Sequence, residues 1–177
     1  MSIPKELLDR ISANDPTLTE LNLSSQYLQL NSRDMQELAN ALTTNTSLSL
    51  LVLCDNDIKD DGAIVLASGL SNSSIKMVDV SINDIGDRGI EALLRSPISS
   101  LNVAGNSFSD SALRILSDNK TLVSLFVHEN GLTDQSVRYF LANPRLLEIT
   151  IVGNKISPAK MEAVQQHIKQ NAERCLL

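Results

Sequence analysis

Six stretches of the chain repeat one arrangement of apolar and polar positions. LTELNLSSQYL begins at 18, LSLLVLCDNDI at 48, IKMVDVSINDI at 75, ISSLNVAGNSF at 98, LVSLFVHENGL at 122 and LLEITIVGNKI at 146, and they align without a gap. Each reads L-x-x-L-x-L-x-x-N-x-L, where L stands for any leucine-type residue. The polar column holds Asn56, Asn83, Asn106, Asn130 and Asn154, with Gln26 taking its place in the first unit. Six units in one register predict a repeat architecture, in which each unit is one supersecondary element.

The columns have physical causes. In x-L-x-L-x the alternation has period two, so it predicts a short strand with its leucine-type side chains turned inward and its x residues turned out. The Asn amide then turns the chain by bonding backbone groups that leave the strand. DDGAIVLASGL (60–70), DRGIEALL (87–94), DSALRIL (110–116) and DQSVRYFL (134–141) follow, each reading as an acidic N-cap leading into a short amphipathic helix. In the later, shorter units the helices are expected to run about one turn. No unit buries its apolar face alone, so stability is expected from stacking.

The ends read as covers for the stack. PKELLDRISA (4–13) places Pro near a helix start and Leu7, Leu8 and Ile11 on one face, and Ser157-Pro158 opens a longer helix carrying Met161, Val164 and Ile168. The expected organisation is one domain over 1–177: a helical cap (1–17), six repeats (18–157) and a second helical cap (158–177). Its fold class is a right-handed α/β solenoid, with a parallel concave sheet of six strands and helices on the convex back.

Over about residues 18–165 this pattern resembles the leucine-rich-repeat superfamily, and within it the ribonuclease-inhibitor-like class with strand and helix in every unit. DGAIVLASGL is similar to the GAxALA pattern of bacterial GALA-type repeat proteins, through Gly62, Ala63, Leu66 and Ala67. ISANDPTLTELNLSS and LANALTTNTSLSLLVL resemble the opening of the tropomodulin and leiomodin repeat domain. The three likenesses imply three different binding roles. They are occlusion of an enzyme's active site, recruitment of a client to ubiquitin ligase machinery, and actin binding.

The outward positions form three columns across the concave face. Glu20, Leu50, Met77, Ser100, Ser124 and Glu148 make the first; Asn22, Val52, Asp79, Asn102, Phe126 and Thr150 the second; Ser24, Cys54, Ser81, Ala104, His128 and Val152 the third. None is Lys or Arg, although the chain has 15 such residues and a formal net charge of −6. Such a face does not hold phosphates, which argues against nucleic acid, and the scattered Lys and Arg do not form a membrane-binding patch. Its apolar members Leu50, Val52, Met77 and Phe126 are of the type that anchors protein interfaces. Asp79, Asn102, Ser124, His128 and Thr150 supply polar contacts, and Glu129 and Glu148 an acidic rim.

Chemistry is sparse by comparison. Cys54 and His128 share a column but stand three strands apart, about 14 Å at the usual strand spacing, too far for a nucleophile and its base. His128 and His167 fall on different elements, and no Cys-x-x-Cys spacing exists, so no metal or other cofactor is expected. The N-terminus lacks the apolar core of a secretory signal, and Cys54 and Cys175 make no disulfide framework, which fits a cytoplasmic protein or an effector exported without such a signal. The reading is a non-enzymatic module, monomeric when free, that docks a protein through Leu50, Val52, Met77, Asp79, Asn102, Ser124, Phe126, His128, Glu129, Glu148 and Thr150. Its expected partner is an enzyme with a neutral or basic docking surface, with actin or ligase machinery as alternatives.

Overall fold

A computed structural model describes residues 2–24 and 30–175. Gln26, the first member of the polar column, lies outside these residues. Six three-residue strands, β1 (Glu20–Asn22), β2 (Leu50–Val52), β3 (Met77–Asp79), β4 (Ser100–Asn102), β5 (Ser124–Phe126) and β6 (Glu148–Thr150), pair in parallel and in chain order. The register follows the sequence columns: Leu50 stands opposite Met77, Asp79 opposite Asn102, and Asn102 opposite Phe126. Helix α1 (Lys5–Ser12) precedes the first strand and α6 (Pro158–Arg174) follows the last, while α2 (Ser32–Leu42), α3 (Lys59–Leu70), α4 (Asp87–Leu94), a 3-10 helix (Asp110–Asp118) and α5 (Val137–Ala142) return the chain between strands.

One continuous core runs between sheet and helices. Leu51, Val78, Leu101 and Leu125 from the strands, Leu53, Val80, Val103 and Val127 just after them, and Ile58, Ile85, Phe108 and Leu132 beyond the Asn column are all buried. The helices close on it with Leu66, Leu70, Ile90, Leu93, Leu113 and Phe140. At Gly69 a Cβ would stand 2.6 Å from the carbonyl oxygen of Ala39, so the close approach of α3 to α2 requires glycine there.

The Asn column forms a ladder, buried at Asn56, Asn83 and Asn106 and half-buried at Asn130 and Asn154. The N–H of Asn56 donates to the side-chain oxygen of Asn83 at 2.8 Å, Asn83 to Asn106 at 3.1 Å, Asn106 to Asn130 at 3.0 Å and Asn130 to Asn154 at 3.0 Å. The amide nitrogens donate in turn to strand-end carbonyls, such as Asn106 to Val80 and Val103. Backbone groups freed by the turn thus find partners in their own repeat and in its neighbours.

Two expectations about the helices need correction. The aspartates do not cap their own helices: Gly86 and Ser109 hold the N-cap positions ahead of Asp87 and Asp110. Each aspartate instead reaches forward to the next repeat. Asp60 accepts the N–H groups of Gly86 and Gly89, Asp87 the N–H of Ser109, Asp110 the N–H of Thr133, and Asp134 the N–H of Ser157. The helices of the shorter units also exceed one turn, at 8 residues for α4 and 9 for the 3-10 helix. The reason is that the Asn turn is compact, leaving only three residues between Asn83 and the start of α4.

Candidate partner-binding face

The concave sheet carries the predicted residues. Leu50, Val52, Asp79, Asn102, Ser124, Phe126, His128 and Thr150 are half-buried, Met77 is 42% exposed, and Glu129 and Glu148 are exposed. Leu50, Met77, Asp79, Asn102, Phe126 and His128 come together around a depression of about 250 Å³, with Val78 and Ser100 completing its lining. Its shape follows from side-chain size. Ser100 lies directly across from both Met77 and Ser124, so a small floor separates the larger residues at either side. Val52, Ser124, Glu148 and Thr150 share the sheet face but lie outside the depression, as does Glu129 in the loop beyond β5.

The polar groups are held before any partner arrives. Asp79 accepts the N–H of Ser81 at 2.9 Å, its hydroxyl at 2.6 Å and the amide of Asn102 at 2.9 Å. His128 Nδ1 bonds Thr150 Oγ1 at 2.9 Å, which fixes the ring against β6. The third column is only partly exposed. Ser81 and Ala104 are buried, contrary to expectation, because short side chains between the larger Cys54 and His128 present little surface.

Sequence reasoning found Glu129 and Glu148 at the rim and Val152 beside it, but missed Ile82 and the backbone conformation it shares with Glu129. The residue before each Asn of the ladder has positive φ: Asp55 (58°), Ile82 (57°), Gly105 (63°), Glu129 (56°) and Gly153 (73°). At Ile82 this left-handed backbone carries a β-branched side chain that is 56% exposed, a strained conformation for such a residue. Val152, 63% exposed, adds a second apolar group near this edge. The signal was present in the sequence, since Gly105 and Gly153 occupy the same column as Ile82.

A family model described as a leucine-rich repeat matches residues 44–67 and 71–94. The chain is a leucine-rich-repeat solenoid. Human leiomodin-2 is 24% identical over 181 aligned residues, which cover 96% of this leucine-rich-repeat chain and 31% of leiomodin-2. The chain thus spans less than a third of that relative. A solved structure titled leiomodin-1 actin-binding site 2 superposes with a TM-score of 0.64 at 23% identity, covering 98% of this chain and 92% of that one. The tropomodulin C-terminal domain of Caenorhabditis elegans does so with a TM-score of 0.60 at 17% identity, covering 97% and 94%. These structures share the leucine-rich-repeat fold. Among the described residues no helix is long and apolar enough to cross a membrane.

Proposed function

We propose that this chain is an actin-binding module that docks through its concave face and the adjoining loop rim. The observation that carries this reading is the extent of the leiomodin likeness. It runs over 96% of the chain in sequence and 98% in structure, and the matched structure is named as an actin-binding site. An enzyme-occluding role, the expectation from the ribonuclease-inhibitor-like pattern, finds no comparable support among these relatives. A preorganised depression flanked by Phe126 and Met77 suits a protein surface that brings one protruding side chain and a flat surround.

The test is co-sedimentation of the purified chain with filamentous actin, together with elongation of fluorescently labelled actin from capped and free ends. Binding or slowed elongation is expected for the wild type, and loss of both for Phe126→Asp with an unchanged circular dichroism spectrum. A chain that stays in the supernatant and leaves elongation unaltered overturns the actin reading. Binding that survives Phe126→Asp keeps actin as the partner and moves the contact off the concave face.

A further inference from the structure

Asp79 is the one acid in the lining of the concave depression, and it has no Lys or Arg paired with it among the described residues. Its three hydrogen-bond donors, the N–H and hydroxyl of Ser81 and the amide of Asn102, are neutral. They fix the carboxylate in place and leave its charge uncompensated.

That charge is not needed for the turn that ends β3. In the same column the side-chain oxygens of Asn22 and Asn102 accept the N–H groups of Ser24 and Ala104 two residues on, the turn that Asp79 makes with Ser81. A neutral amide makes this turn twice in the sheet, whereas the second carboxylate oxygen of Asp79 also takes the Asn102 amide. At β3 the position carries a negative charge in addition, between Val52 on one side and Asn102 on the other, with Phe126 on the strand after that.

The surroundings specify what complements it. Covering the depression with a purely apolar group would take the carboxylate further out of water with nothing gained in exchange, which is costly. A volume of about 250 Å³ lies below the range of drug-sized ligand sites and suits a single side chain. Met77, Leu50 and Phe126 offer apolar walls for a methylene stem, and the Phe126 ring offers a face to a planar cation. Guanidinium is flat, weakly hydrated and able to stack on a ring, whereas an ammonium is compact and strongly hydrated.

We propose that the concave depression is a receptor for an arginine side chain projecting from the partner, with its stem against Met77 and Leu50, its guanidinium over Phe126, and its charge met by Asp79. This deepens the docking reading and rests on it only for the identity of the partner. The absence of Lys and Arg from the eighteen outward concave positions keeps the chain's own cations from competing for the site.

The experiment is a ¹⁵N–¹H NMR titration of the full chain with N-acetyl-arginine methylamide, alongside the citrulline analogue, which matches it in shape but is neutral, and the lysine analogue. Saturable shifts at Asp79, Asn102 and Phe126 are expected with arginine, and binding weaker by about tenfold with citrulline. Asp79→Asn, which places at this position the residue already found at 22 and 102, is expected to keep a folded spectrum and lose the preference for arginine. Equal response to arginine and citrulline, shifts spread over the surface acids, or none at all would each overturn the proposal. Lysine binding as strong as arginine would overturn the role of the Phe126 face. Because no actin is present, failure here is separable from failure of the actin assay.

Discussion

One carboxylate oxygen of Asp60 accepts the N–H of Gly86 at 2.8 Å and the N–H of Gly89 at 2.9 Å, so the first turn of α4 is capped by a side chain from the preceding repeat. Helix N-termini leave backbone donors without intrahelical partners, and removing a capping acceptor costs about 1–2 kcal/mol. Asp60→Ala is therefore expected to lower stability by about that amount in urea denaturation. Asp60→Asn, which keeps an acceptor oxygen, should cost less. Equal midpoints for wild type and Asp60→Ala would mean that water serves these donors as well as the carboxylate does.

The Asn ladder should be still less forgiving. Asn106 accepts the N–H groups of Asn83 and Ile85 and donates to the carbonyls of Val80 and Val103, all close to or within the core. Asn106→Ala orphans these groups, at about 1–3 kcal/mol for each one left buried, so a loss of at least about 3 kcal/mol is expected. Hydrogen exchange should accelerate in the repeats on both sides of position 106. Asn154, half-buried at the end of the ladder, should cost less when replaced in the same way.

Adjacent residues on β5 give a test of the strand's facing. Leu125 is fully buried and Phe126 is half-buried on the concave side. Leu125→Ala should cost about 2–5 kcal/mol, and Phe126→Ala about 1 kcal/mol or less despite removing more atoms. Thermal unfolding of the two variants measures this directly, and a larger loss at 126 than at 125 would reverse the assignment of faces.

The fold and the facing of β5 were legible because leucine-type residues recur at fixed columns and a strand alternates with period two. The outward set at Leu50, Met77, Asp79, Asn102, Phe126 and His128 followed from the same rule. Two features were not legible that way. The forward reach of the aspartates depends on where the next repeat stacks, although the motif Asn-x-x-Gly/Ser/Thr-Asp at 83–87, 106–110 and 130–134 carries its trace. The burial of Ser81 and Ala104 depends on the size of their column neighbours across strands, which alternation along one strand does not encode.

Backbone strain at the rim should be measurable. Ile82 holds a left-handed conformation that Asn or Gly adopts more readily, so Ile82→Asn is expected to raise stability by about 0.5–1 kcal/mol. Gly153→Ala should do the opposite, since φ is +73° and a Cβ would stand 3.1 Å from the backbone nitrogen of Glu129. Differential scanning calorimetry of the pair should show melting temperatures moving in opposite directions. If Ile82→Asn instead destabilises, the exposed Ile82 side chain makes contacts that outweigh its strained backbone.

Acid should weaken the forward-capping bonds. Asp87 and Asp134 both lie below the ordinary aspartate value of 3.8. At Asp87 burial, the largest single influence, pushes upward, but the Ser111 hydroxyl, the N–H and hydroxyl of Ser109 and the charge of Arg114 together outweigh it. At Asp134 the N–H of Ser157 is the main cause of the lowering. A carboxyl lowered on folding stabilises fully above its unfolded value, and that contribution disappears as pH falls through the folded value. Unfolding midpoints attributable to these two groups should hold from about pH 7 to 5 and fall below about pH 4. The double variant Asp87→Asn, Asp134→Asn should flatten that fall, and an unchanged slope would assign the acid sensitivity to other carboxylates.

The two polar ladders run in opposite directions. Along the Asn column the accepting oxygen belongs to the later repeat, and along the aspartate column it belongs to the earlier one. Each internal unit therefore offers one acceptor backward and one forward, and receives the same from its neighbours. Copying such a unit whole, from one Asn to the next, would leave no donor without a partner, whereas a cut inside a unit would break both chains of bonds at once. The arrangement gives this solenoid a natural quantum of growth by tandem gene duplication, and it marks the Asn-to-Asn segment as the interval at which engineered lengthening or shortening should leave the fold intact.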